Sequence, residues 1–363
     1  MNAKIYQPIL SHTVSLPYKS LPISKKHEGF TLVELMIALV LGLLISAAAL
    51  QVFYTSSVNS RRQAASSQIQ DNAIFGFSQM QKNLRRTNYG AKSTDAYDEF
   101  FMNHLTPQGG VVLTAPEAPE DTSDNWLNGN LSGLVLDGKA IPANLLSSNG
   151  SATSSSSVSV ENSDQLTIQY QSGIDGLFDC EGAAIPEGFY VIERYFVRLD
   201  ETVTPNTLGL ACASAIYNYD EDIAGSSTGL DIASYVDSEG DTKDNNLSGD
   251  GTIIIPNVDY FRVLIGISDS IGFATYPDKA NIAYMPIPAP SSLDSDQRIV
   301  SLQIGILSRS DNPTATQQSN SELSFDILDI ADATLNTGTI AGPTYLRSVY
   351  ESTILLRNAR GGL

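Results

Sequence analysis

From Leu35 to Val52 the chain offers only Ser46 and Gln51 as polar side chains. Eighteen residues of this kind span most of a hydrocarbon core, so the run predicts a membrane helix rather than a helix buried in a soluble core. An ordinary secretory signal would place a small-residue cleavage site after the apolar run. Here the candidate, Ala47-Ala48-Ala49, lies inside a helical pattern that continues beyond it. Cleavage before the run, which leaves the helix on the mature chain, is therefore the reading adopted. Lys25 and Lys26 on one side are matched by Arg61 and Arg62 on the other, so the distribution of basic residues alone does not set the topology.

The helical pattern outlasts the apolar run. Ile69, Ala73, Phe77, Met80 and Leu84 recur at spacings of four and three, one apolar stripe among polar neighbours such as Arg61, Gln68, Gln70, Asn72 and Gln79. Such a stripe predicts a helix packed on its own domain. No proline occurs between Phe30 and Leu84, so a single helix of about 55 residues, on the order of 80 Å long, is allowed.

Beyond Tyr89 the chain changes character. Up to Asp164 it is rich in Gly, Pro, Ser, Asn and Asp, with short apolar pieces at Gly110–Leu113 and Leu134–Leu136, which predicts irregular connections with a few short strands. Ser147 to Ser159 reads as a solvated, Ser-rich loop. From Gln165 the pattern becomes strand-like, at Leu166–Tyr170, Tyr190–Arg198, Tyr260–Ile267, Ile299–Leu307 and Tyr345–Leu356. Val300, Leu302, Ile304 and Ile306 alternate with Ser301, Gln303 and Gly305, which predicts a half-buried antiparallel strand with one face toward the long helix. The expected fold class is α+β, a long N-terminal helix packed on an antiparallel β-sheet head with long irregular loops.

The 363 residues carry a formal charge of −19; the first 29 hold four lysines against Glu28, a net +3 that leaves −22 on the remainder. A surface that acidic repels phosphate backbones, so no nucleic-acid partner is expected. Past residue 29 there is one histidine, His104, too few for a His-rich metal site or a His-based triad. There is no G-x-S-x-G, H-E-x-x-H or phosphate-loop pattern. No enzymatic activity, cofactor or metal is expected. Two acidic stretches, Tyr219–Asp222 and the one holding Asp237, Glu239, Asp241, Asp244 and Asp250, do not match EF-hand spacing and read as solvated loops. The two cysteines, Cys180 and Cys212, are either one disulfide in an oxidising compartment or two reduced core thiols.

Gly29-Phe30-Thr31-Leu32-Val33-Glu34, preceded by Lys25-Lys26, closely resembles the prepilin leader of type IV pilins and type II secretion pseudopilins. The resemblance implies that a membrane prepilin peptidase on the cytoplasmic side cuts after Gly29 and methylates the new amino terminus at Phe30. It implies too that Glu34 pairs with the Phe30 amine of a neighbouring subunit and sets axial register in a filament. The alternative for Glu34 is a carboxylate that reaches the headgroup region from the helix end.

Cys180-Glu181-Gly182, Glu193–Val197, Leu210-Ala211-Cys212 and the closing Tyr345–Tyr350 and Leu356–Asn358 look like the PilW family of minor type IV pilins. By that resemblance the two cysteines pair. The organisation it implies is a leader at 1–29, a transmembrane half-helix at 30–53, an amphipathic periplasmic half at 54–88 and a β-rich head at 89–363. The implied role is initiation of pilus assembly, at or near the pilus tip, with other minor pilins, the major pilin and a tip adhesin as partners. The head then lies in the periplasm while the helix sits in the inner membrane, and is extracellular in the pilus. The runner-up readings are a minor pseudopilin of a type II secretion system and a tip-displayed adhesive module using the polar stretches Tyr89–Asp164 and Ser214–Thr252.

Overall fold

The computed structural model describes residues 29–91, 102–116, 127–204, 206–269, 282–295, 297–314, 324–336 and 344–359. Lys25 and Lys26 of the basic leader lie outside the described residues. One helix, α1, runs from Leu32 to Leu84, 53 residues without an interruption. The chain divides into two compact units, residues 1–56 and 57–363.

In the first unit every described residue, 29–56, is exposed. The most apolar 18-residue window of α1 has a mean hydropathy of 2.5 and none of it is buried within the chain. Leu32, Val33, Leu35 and Met36 are each more than half exposed, as are Leu43, Leu44 and Ile45. That much apolar surface is stable only under an apolar cover, as a lipid bilayer provides.

The second unit is α+β. The strands of its two largest sheets are β1 (Leu166–Gln171), β2 (Tyr190–Asp200), β3 (Thr207–Tyr217), β4 (Thr252–Pro256), β5 (Val258–Asp269), β6 (Ala283–Pro286), β7 (Gln297–Arg309) and β8 (Arg347–Leu355). They form two four-stranded sheets, β4-β3-β2-β1 and β6-β5-β7-β8. All the pairings within them are antiparallel. Only Asn257, in left-handed conformation at φ 56°, separates β4 from β5, so one residue carries the chain from the first sheet into the second.

The buried face of α1 is the stripe seen in the sequence: Ile69, Ala73, Phe77, Met80 and Leu84, joined by Ala65, Gly76 and Asn83. Ala73, Phe77, Met80 and Leu84 share one core cluster with Ile168 and Tyr195 of the first sheet and Phe261 and Ile304 of the second. Both sheets thus contribute to the core that receives the helix. After Leu84 the chain turns, and Asn88 and Gly90 both take positive φ, 68° and 75°. The closing segment covers the turn that follows the helix, because Asn358 Nδ2 donates to the carbonyls of Arg86 and Thr87, both at 3.3 Å.

Two expectations are corrected. Ser147 to Ser159 is no solvated loop, since Ser147, Ser151, Ser154 and Ser157 are buried. Ser147 Oγ donates to the Thr167 carbonyl at 2.9 Å and Ser157 Oγ to Asp259 at 3.1 Å, so the small hydroxyls satisfy backbone and carboxylate groups over the sheets. Strand β7 is not half-buried, because Ser301 and Gly305 are buried on the face opposite Leu302 and Ile304. A hairpin of Ser324–Ile327 and Ile330–Thr334 covers part of that face; a Cβ on Gly305 would come within 2.9 Å of Ile327. Buried residues are also frequent among the described part of Tyr89–Asp164, including Met102, Val111, Leu131 and Leu134, so much of this stretch packs on the sheet instead of forming a free polar surface.

Candidate functional site

The candidate assembly segment begins at Gly29, whose Cα has no neighbour within reach of an added Cβ, and Phe30, which is 82% exposed. Thr31 caps α1. Its Oγ1 accepts from the Glu34 N–H at 3.2 Å, and its carbonyl accepts from the Leu35 N–H at 3.1 Å. Thr31 and Glu34 thus stand in the Ser/Thr-x-x-Glu relation of a capping box, and the Glu34 carboxylate sits in the first turn, where the helix dipole favours a negative charge. The sequence reading singled out Glu34 and passed over Thr31, although the spacing of the two was visible.

At the other end of α1 a buried polar cluster joins helix and sheet. Glu193 of β2 is fully buried. Its Oε1 accepts from Asn83 Nδ2 at 2.8 Å and from the Tyr170 hydroxyl at 2.9 Å; its Oε2 accepts from the Tyr195 hydroxyl at 2.6 Å. Burial is the dominant influence on the carboxyl and pushes it up to about 7, against the pull of the two tyrosine hydroxyls. The sequence reading saw Glu193 only as part of a strand.

Cys180 and Cys212 form a disulfide, with Cα atoms 6.1 Å apart. It fastens the hairpin of Leu177–Phe178 and Ala184–Ile185 to β3. The hairpin also borders a cavity of about 700 Å³ whose lining includes Asp179, Glu181, Tyr235, Asp237 and Lys243.

Comparison with known proteins assigns the two ends of the chain. Residues 24–50 match the prokaryotic N-terminal methylation motif, and residues 229–358 match the family described as type IV pilus-assembly protein W. The chain carries a PilW-family region and the methylation motif of a prepilin leader. The second match takes in β4 to β8 and Asn358, which holds the turn after α1. This pilin-like chain also aligns with a type IV-like pilin from Thermus thermophilus at a TM-score of 0.33 and 9% identity, over 80% of this chain and 98% of that one. A superposition that loose adds nothing to the family match. No curated protein matches.

The acidic stretches have local structural work. Asp220 caps the short helix Glu221–Ala224, accepting from the N–H groups of Asp222 and Ile223. Asp237 accepts from the N–H groups of Glu239 and Asp241, and Lys243 reaches Asp237 at 3.3 Å and Asp241 at 3.5 Å. Among the described residues no group of three His, Cys, Asp or Glu side chains is arranged to hold a metal ion. His104 is half-buried, and its imidazole is pushed down by desolvation. The structure brings Gly29, Phe30 and Glu34 together at one helix start and Cys180 and Cys212 into one bond.

Proposed function

We propose that this chain is a minor pilin that takes part in initiating pilus assembly and occupies a place at or near the pilus tip. The observation that carries the reading is the start of α1: an exposed Gly29-Phe30, a Thr31 cap with Glu34 in the first turn, and then a long apolar surface left exposed among the described residues. Prepilin peptidase removes the leader after Gly29 and methylates Phe30. The apolar segment holds the subunit in the inner membrane until it is drawn into the filament beside other minor pilins and the major pilin. There Glu34 meets the Phe30 amine of a neighbour, because an unpaired carboxylate among apolar helices is costly. The β-rich unit supplies the lateral contacts, including those with a tip adhesin.

The test is complementation of a deletion strain with the full chain, scored by counting surface pili. Pili lost on deletion, restored by the full chain and not by Glu34→Ala, support the reading. Unchanged pili together with a loss of protein secretion would transfer the chain to a type II secretion pseudopilus.

A further inference from the structure

Among the described residues of the head, two buried acids face cations and two, Asp179 and Glu193, do not. Asp164 faces Arg262 at 3.3 Å, and Asp259 faces Arg309 and Arg347 at 3.3 and 2.7 Å. Glu193, by contrast, forms no ion pair among the described residues; its partners are an amide and two phenols. A buried carboxylate without a cation is unfavourable and protonation removes that cost, while one of the two tyrosine hydroxyls turns from donating to accepting the carboxyl proton.

The groups facing it come from each element packed around it. Asn83 belongs to α1, Tyr170 to β1 and Tyr195 to β2 itself. Asp179, at the mouth of the disulfide hairpin, adds like charge. The hydroxyls of Tyr170 and Tyr195 are held far above their ordinary range, chiefly by burial, so they stay neutral. Asp179 is also raised by burial, with Ser214 and backbone N–H groups opposing. Arg86 donates to the Asn83 side-chain carbonyl at 3.2 Å and lies 6.0 Å over the Tyr170 ring.

We propose that Glu193 is a protonation-controlled clasp: neutral, it fastens the last turn of α1 to the first sheet, and ionised, it loosens that joint. The sign follows from linkage. A carboxyl raised by folding contributes stability that is complete below its ordinary value, 4.5, and is lost as pH rises through about 7. Mild acid therefore tightens the joint between helix and sheet, and neutral to alkaline conditions release it. Because the clasp belongs to the folding of the head, it does not depend on the pilus reading.

The experiment is amide hydrogen exchange in the last turn of α1, on the full chain in detergent micelles, corrected for intrinsic exchange, between pH 6 and pH 8. The opening constant should rise about tenfold across that interval in the wild type. Glu193→Gln, which imitates the neutral form, should remove the pH dependence, and Asp179→Asn should keep it. A flat wild-type profile, an equal rise in Glu193→Gln, or its loss in Asp179→Asn overturns the proposal. Should Glu193→Gln fail to fold, infrared spectroscopy of the wild type decides. A buried protonated carboxyl band that vanishes near pH 7 supports the clasp, and the absence of such a titration overturns it.

Discussion

Asn83, in the last turn of α1, donates a 2.8 Å hydrogen bond to Glu193, 110 residues further along the chain on β2. Both residues are buried, so this bond forms only when the helix has docked on the sheet. Asn83→Ala leaves one lone pair of a buried carboxyl without its donor, at a cost of about 1–3 kcal/mol. Chemical denaturation of the full chain in detergent should show that loss. A loss well below 1 kcal/mol would mean that water replaces the amide.

Gly76 makes the helix dock closely. A Cβ there would overlap the Ile255 side chain on β4. Gly76→Ala should raise intrinsic helix stability by about 1 kcal/mol, yet overpacking costs about 1–3 kcal/mol. The net expectation is a lower melting temperature, partly restored by adding Ile255→Val. A melting temperature that rises in the single variant would show that the two elements have room to separate.

The disulfide closes a loop with a sequence separation of 32 residues. Chain-entropy reasoning gives about 3–4 kcal/mol for such a loop. Cys180→Ser with Cys212→Ser should therefore lower the denaturation midpoint, and adding a reductant should shift the wild type toward the variant without moving the variant itself. Equal midpoints for wild type and variant would contradict this.

Asp259 is shared by two guanidinium groups, Arg309 and Arg347, with its side chain almost wholly buried. Asp259→Asn removes the compensating charge beside both, and breaking a buried pair in this way costs about 3–5 kcal/mol. The expected result is the largest loss among these variants, read by thermal denaturation. A change under 1 kcal/mol would show that Arg309 and Arg347 find other acceptors without strain.

How much of this was legible beforehand depended on how local the signal was. The stripe from Ile69 to Leu84 is written at helical spacing within one segment, and all five of its residues are buried. Strands β1, β2, β5 and β7 likewise announce themselves through runs of branched and aromatic residues. What covers a strand is a different matter. The burial of Ser301 and Gly305 was invisible in the alternation of β7, which describes one face only. The serines from Ser147 to Ser157 have the composition of a loop, and only their acceptors, Thr167 and Asp259 among them, make them interior residues. Glu193 shows the same limit, since its partner Asn83 lies on an element that no periodicity connects to it.

The central claim concerns the start of α1, and the amino-terminal mass spectrum of the protein tests it most directly. The protein is purified from cells with and without prepilin peptidase, with Gly29→Asp as the processing-defective control. A mature chain that begins at methylated Phe30, and is lost in both controls, is the predicted result. An uncut chain in peptidase-bearing cells, or one cut near Ala49, would contradict it and leave a membrane-anchored or secreted protein with no assembly segment.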